Sequence, residues 1–245
     1  MTRLPLAILV GFGILSILHL YRELPNKQRG DRFAHYEDKL WEGCQPLRGS
    51  VKTELGDQLK RVINAFEELH IDYAVFYGTI LGALRDQDIN RNEIDNDLMV
   101  DETFERTEEI RRVFFTHGLH IFKHGVYRVC NIGHTVAKFP WGHAYPWCST
   151  YVPYTDLYPF LPYMYCDSGS AISEANKVKI NSYETVKVND MNVTIPNRTQ
   201  AEECLTNRYG DWKTEQKGEL WKRAVHASDS NLITDLYMYI KNVLC

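Results

Sequence analysis

The sequence predicts an α+β domain, a central mixed sheet flanked by helices, preceded by an N-terminal transmembrane helix. Three observations predict it. Residues 52–69 set Leu55, Leu59, Val62, Ile63, Phe66 and Leu69 on one helical face. Residues 71–77 and 94–100 are short strand-like apolar runs with a helix-like segment between them. Residues 4–21 contain no Asp, Glu, Lys or Arg, and their length is near the lower limit for a helix that spans a bilayer. A chain of 245 residues has room for one substantial domain rather than two.

Residues 1–21 read as an uncleaved signal anchor. The exit Leu18-His19-Leu20-Tyr21-Arg22 lacks the small-residue pattern of a cleaved signal peptide, which is the competing reading. Flanking charge leaves orientation open, with Arg3 before the segment and Arg22, Lys27, Arg29 and Arg32 after it. Residues 22–50, charged and interrupted by Pro25 and Pro46, read as a stem or linker, and the folded domain is expected over 51–245. Within it, residues 79–85 read as a short helix capped by Thr79, 86–93 as a polar loop, and 103–116 as an amphipathic helix ending before Gly118. Residues 119–122, 127–132, 135–139 and 150–160 read as strands, and 184–195 as a hairpin turning at Asn189-Asp190. Helices are expected at 202–208 and 232–243.

Composition narrows the function. A net charge of −4 leaves no electrostatic footprint for nucleic acid. The six cysteines form no Cys-x-x-Cys pair, which argues against a zinc site, and an even number fits disulfides in a lumenal domain. Sequons at Asn192-Val193-Thr194 and Asn197-Arg198-Thr199 point the same way. The competing reading is a cytosolic protein with buried free thiols. Together these features predict a single-pass type II protein of the Golgi or ER membrane, its catalytic domain in the lumen. No Gly-x-Ser-x-Gly elbow, P-loop or His-Glu-x-x-His pattern is present.

The chemistry is concentrated in two segments, Tyr77-Gly78-Thr79-Ile80-Leu81-Gly82-Ala83-Leu84-Arg85 and Glu93-Ile94-Asp95-Asn96-Asp97. A glycine where a strand turns into a helix lets backbone approach a phosphate, and the helix start offers free N–H groups. Gly78 and Thr79 are therefore phosphate-binding candidates, and Arg85 adds a bidentate guanidinium. Asp95 and Asp97 are two apart on a strand, so both face one way, and Glu93 extends that face. Carboxylates so close repel unless a cation joins them, and an all-oxygen set suits Mg2+ or Mn2+. Asp156 lies alone in the aromatic strand Tyr154-Thr155-Asp156-Leu157-Tyr158-Pro159-Phe160, where burial demands a partner. Gly-Thr, then Asp-x-Asp, then a lone later Asp is the nucleotidyltransferase arrangement, in which the acids hold a metal and help deprotonate the attacking group. Lys138, at a strand end, is a further phosphate candidate, while Trp141, Tyr145 and Trp147 read either as a sugar platform or as loop core.

These segments resemble the LicD family, which includes bacterial phosphocholine transferases and, more distantly, fukutin and the fukutin-related protein. The resemblance is carried by Gly78 to Arg85, by Asp95-Asn96-Asp97 and by Asp156-Leu157-Tyr158-Pro159. It continues through Val193-Thr194-Ile195-Pro196, Cys204-Leu205 and Tyr209-Gly210-Asp211-Trp212, so that it covers about residues 53–213. It implies transfer of a phospho-alcohol, such as phosphocholine or ribitol phosphate, from a CDP-activated donor to a hydroxyl of a glycan, glycoprotein or glycolipid. Asp95, Asp97 and Asp156 would then be the catalytic metal ligands, and Gly78, Thr79 and Arg85 would lie near the donor phosphates. The chain departs from the pattern at Asn92-Glu93, where the family has Trp-Asp, and at residues 86–90, where it has a glycine-rich turn. Glu93 offers the metal a further carboxylate. The rival readings are a metal-dependent glycosyltransferase using a nucleotide sugar and a non-catalytic glycan-binding relative.

Overall fold

The computed structural model describes residues 39–45, 47–91, 93–133, 152–166 and 177–214. The expected anchor at 1–21, strand at 135–139 and helix at 232–243 lie outside the described residues, as do Lys138, Trp141, Tyr145 and Trp147. Among the described residues no helix is long and apolar enough to cross a membrane.

The first long element is helix α1, Val51–Leu69. Ser50 starts it, its Oγ accepting the Thr53 N–H, and Glu54 Oε1 reaches back to accept the N–H groups of Arg48 and Gly49. His70, at φ 52°, ends it in the left-handed region. Its apolar face, Val51, Leu55, Leu59, Val62, Ile63 and Phe66, is buried as the periodicity predicts. There follow strand β1 (Tyr73–Val75), helix α2 (Tyr77–Arg85), strand β2 (Asp95–Asp101) and helix α3 (Glu108–Thr116). The helix expected at 103–116 begins later because Asp101 folds the chain into a turn, Oδ1 accepting the Thr103 N–H at 2.8 Å, and Thr107 caps the helix by accepting from Ile110. Strands β3 (Leu119–His124), β4 (Val126–Asn131) and β5 (Tyr154–Leu161) complete the main sheet.

That sheet has five strands in the order β1-β2-β5-β4-β3, and it is mixed. β2 and β5 run parallel, while the other neighbouring pairs are antiparallel. One face, with Val75, Leu98, Val100, Leu119, Ile121, Val129 and Leu157, packs into the principal core with α1 and Phe114 of α3. Two pairs of short strands follow, β6 (Tyr163–Tyr165) with β7 (Lys177–Lys179) and β8 (Tyr183–Val188) with β9 (Met191–Pro196). The second pair is the expected hairpin, turning at Asn189-Asp190 with Asn189 at φ 54°. Helix α4 (Arg198–Tyr209) starts at Asn197, whose Oδ1 accepts the Thr199 N–H.

Among the described residues, two disulfides brace this framework. Cys44–Cys130 ties the segment before α1 to β4. Cys166–Cys204 ties α4 to the chain after β6.

A polar network lies beneath the parallel pair. Gln58 of α1 is fully buried; its Nε2 donates to Asn131 Oδ1 and Pro153 O, and its Oε1 accepts from Thr155. Asn96 donates to Leu55 O at 3.0 Å. Apolar alternation forbids a slip of one residue but tolerates a slip of two, whereas these polar groups are satisfied in one register only. Gln58→Leu removes the acceptor of the Thr155 hydroxyl and the side-chain donor to the Pro153 carbonyl, while Asn131 keeps the Arg61 donor. It is therefore expected to cost about 2–4 kcal/mol, at roughly 1–3 kcal/mol per unsatisfied buried group. Urea unfolding measures this, and a loss below about 0.5 kcal/mol would show that the network contributes nothing to the register.

Candidate metal centre

The parallel register between β2 and β5 builds the site. It sets Asp95 beside Tyr154, Asp97 beside Asp156, and Met99 beside Tyr158. Side chains alternate, so these six share the face opposite α1. One ligand oxygen from each of Asp95, Asp97 and Asp156 lies within 4.8 Å of the others. Asp97 and Asp156 are only 6% and 5% exposed. The three acids singled out in the sequence thus meet at one point.

Helix α2 holds Asp97 from the side. The Gly78 N–H donates to the Asp97 carboxylate, and the Thr79 hydroxyl accepts the Asp97 backbone N–H at 2.7 Å. Thr79 is therefore inside α2, clamping β2, rather than capping the helix as expected; Phe76 occupies the cap position. Gly78 lets the Glu93 side chain come close, since a Cβ there would overlap it and displace it. That overlap also places Glu93 at the start of α2, where its charge reaches Asp97. Gly82, one turn on, is required by close approach, since a Cβ would meet the backbone of Asp88 and Asn90 at 2.6 Å. This returning loop is what stands at residues 86–90.

Arg85 is engaged elsewhere. Its Nε and Nη2 form a two-point pair with Asp86 at 2.8 and 2.7 Å, and Nη2 also donates to Asn90. Among the described residues, two cations near the acids, Arg128 and Arg208, are ones the sequence did not single out. Arg128 of β4 lies opposite Asp156 in register and donates from Nε to Asp156 Oδ1 at 2.8 Å. Its Nη1 contacts His124 Nδ1, and its guanidinium lies over the rings of Trp41 and Tyr154, each centroid 5.2 Å away. Arg208 of α4 lies over the Tyr77 ring at 3.8 Å. Arg128 had one sequence signal, being the only charge in the run expected at 127–132. Arg208 had none beyond its place before Tyr209-Gly210.

Tyrosines line the acids. Tyr154 hydrogen-bonds Asp95, and the Tyr158 hydroxyl donates to Asp156 Oδ2 at 3.4 Å. Burial, then the nearby carboxylates, push both phenols far above their ordinary value. They are hydrogen-bond donors throughout the physiological range. Tyr77 starts α2 at φ 39°, a strained conformation for a bulky residue, and its ring packs on Phe76 and edge-on to Tyr158.

Of the two sequon asparagines, Asn192 is exposed on β9. Asn197 is half-buried, with Nδ2 donating to Glu184 Oε1 at 3.2 Å.

Neither a family model nor a curated protein matches this chain. The meaning of the site rests on its chemistry. Burial, and then the charges of Asp95, Glu93 and Asp156, push the Asp97 carboxyl well above the ordinary range. Burial also raises Asp156, with Arg128 pulling it back. Two ionised carboxylates within 4.8 Å repel by on the order of 3 kcal/mol or more at an effective dielectric of about 20. Arg128 pairs with Asp156 alone among the three. A proton or a cation shared by the acids relieves the repulsion that remains, and an oxygen-only group of three carboxylates can bind a metal ion.

A raised carboxyl value stabilises the metal-free fold fully below the ordinary carboxyl range, and that contribution is lost as pH rises through the raised value. Without metal, the protein is expected to lose thermal stability from about pH 5 to about pH 8. Mn2+ is expected to restore more of it at the higher pH, because metal and proton compete. Asp97→Asn should flatten the pH dependence and abolish the Mn2+ response. Thermal melts at both pH values, with and without Mn2+, measure this; an Mn2+ response retained in Asp97→Asn would contradict the assignment.

Proposed function

We propose that this protein is a divalent-metal-dependent transferase, of the kind the LicD-like motifs imply. It moves a phospho-alcohol such as phosphocholine or ribitol phosphate from a CDP-activated donor to a glycan hydroxyl. The observation that carries the reading is the β2–β5 register, which sets Asp97 against Asp156 with Asp95 beside them. An Asp-x-Asp pair alone also suits sugar transfer. The third acid on a neighbouring parallel strand, with a Gly-Thr helix clamped to Asp97, supports the nucleotidyltransferase arrangement.

In this reading Asp95, Asp97 and Asp156 hold Mg2+ or Mn2+, with Glu93 close by. The metal would supply charge neutralisation to the donor phosphates. The acceptor hydroxyl oxygen forms a bond to the phosphorus that bears the alcohol. The bond from that phosphorus to the oxygen of CMP breaks, and CMP leaves. The hydroxyl proton passes to a carboxylate of the cluster. Tyr154 and Tyr158 stay protonated and keep Asp95 and Asp156 in place. Arg128 fixes Asp156 from the other side.

The buried disulfides support an oxidising compartment. With the apolar segment at 4–21 and the sequons, they favour a type II Golgi or ER membrane protein facing the lumen, with glycoprotein or glycolipid acceptors.

The test is incubation of the full chain with Mg2+ or Mn2+, a panel of CDP-alcohols and nucleotide sugars, and candidate glycan acceptors, read by mass spectrometry. CMP release with phospho-alcohol on the glycan is expected. Asp95→Asn with Asp97→Asn should reduce it about a hundredfold or more. Nucleoside diphosphate release from a nucleotide sugar would contradict the reading and make the protein a glycosyltransferase.

A further inference from the structure

We infer that Trp41, in the segment that reads from sequence as a stem, is a positioning residue of the metal centre and acts through Arg128 and Tyr154. The inference rests on the metal-binding part of the reading above and goes beyond it, since neither the motifs nor that reading gives Trp41 a role.

The segment before α1 is fixed on the sheet. Cys44 pairs with Ile132 in a single antiparallel bridge. The Gln45 N–H donates to Asn131 O at 2.7 Å, and the Gly133 N–H donates to Gly43 O at 2.9 Å. Gly133 permits that approach, since a Cβ there would meet the Gln45 backbone at 2.6 Å. The Cys44–Cys130 disulfide closes the joint. Cys130 stands opposite Tyr154 and two residues from Arg128, which stands opposite Asp156. The joint therefore lies on the face that carries the acids. A short 3₁₀ turn, Trp41–Gly43, lays the indole on that face.

The indole meets four side chains there. It is edge-on to Phe122 and Tyr154, with centroids 5.0 and 5.2 Å away, and to His124 at 6.0 Å. The Arg128 guanidinium lies 5.2 Å from the Trp41 centroid and 5.2 Å from that of Tyr154. Those two rings stand at 79° to each other, and the guanidinium sits in the corner they make. A guanidinium that stacks by its face keeps its N–H edge for acceptors. Arg128 uses that edge on Asp156 Oδ1 and on His124 Nδ1, each at 2.8 Å. Tyr154, the other wall of the corner, hydrogen-bonds Asp95. Trp41 thus bears on two of the three metal ligands, Asp156 through Arg128 and Asp95 through Tyr154.

Without the indole, Arg128 keeps its charge and loses one wall of its seat. A long side chain released on one side regains rotamer freedom, so its pairing with Asp156 loosens. A metal ligand that is no longer held in place binds more weakly. Trp41 also packs on a small apolar cluster of Cys44, Phe122, Cys130 and Val152. A side chain that only covered that cluster would set stability and leave metal affinity alone, which separates the two roles.

Calorimetry of Mn2+ on the full chain tests this, beside thermal melts without metal. Trp41→Leu covers the cluster but offers Arg128 no ring. It is expected to weaken Mn2+ about fivefold or more, less than the roughly 10–100-fold lost with direct partners of metal ligands. Trp41→Phe keeps a ring face for the guanidinium and is expected to bind Mn2+ within about twofold of wild type. Mn2+ affinity within about twofold of wild type in Trp41→Leu, whatever its melting temperature, would overturn the inference and leave the metal centre standing. An equal loss in Trp41→Phe and Trp41→Leu would overturn it too. No Mn2+ binding by the wild type would overturn the metal centre and the inference with it. Should Trp41→Leu fail to fold, Arg128→Lys decides. It keeps the charge but cannot stack in the corner and pair at once, and Mn2+ is expected to weaken about fivefold or more; wild-type affinity there would equally overturn the inference.

Discussion

The parallel pairing of β2 and β5 is the constraint on which the rest of the molecule depends. It brings two acids that are far apart in sequence, Asp97 and Asp156, side by side on one face. Shifting β5 by one residue would turn Asp156 into the α1 core and bring Leu157 to the site. The strands therefore have to be held in one register although their best-placed side chains repel. On the opposite face, the residues that alternate with the acids, Asn96 and Thr155, join Gln58 and Asn131 in a buried network. The polar network under the sheet offsets the electrostatic cost on top of it.

A second layer of control comes from the ends of the helices. α2 meets Asp97 twice, through the Gly78 N–H and the Thr79 hydroxyl. The hairpin β8–β9 reaches the loop after α2 through Asn189, whose Nδ2 donates to Asp88 at 2.7 Å, and Lys52 of α1 pairs with the same carboxylate. The disulfides act at the margins. Cys44–Cys130 brings Trp41 against Tyr154 and Arg128, and Cys166–Cys204 anchors the helix that carries Arg208. Segments at both ends of the described domain thus converge on the acids.

Much of this was legible in the sequence where local physics decides. The periodicity of α1, the Asn189-Asp190 turn and the alternation that puts Asp95 and Asp97 on one face are all properties of a single segment. Asp156 was readable as an acid in need of a partner, because apolar neighbours make its burial costly. Its partners were not readable, because they depend on strand order: Arg128 reaches Asp156 only because β4 lies next to β5. Thr79 was misread as a cap for the same reason, since the group it serves, the Asp97 N–H, belongs to another strand. Arg85 fitted a phosphate role by spacing, yet the neighbouring Asp86 captures it. No local pattern reports the pairing of cysteines or the stacking of Arg208 on Tyr77.

The account stands or falls on whether the acids brought together by that register bind a metal. The most direct measurement is anomalous diffraction from crystals of the protein soaked in Mn2+. The account predicts one strong peak within direct coordination distance of Asp95, Asp97 and Asp156, between β2 and β5. A saturating soak that leaves no peak there, or places it at other residues, would contradict it.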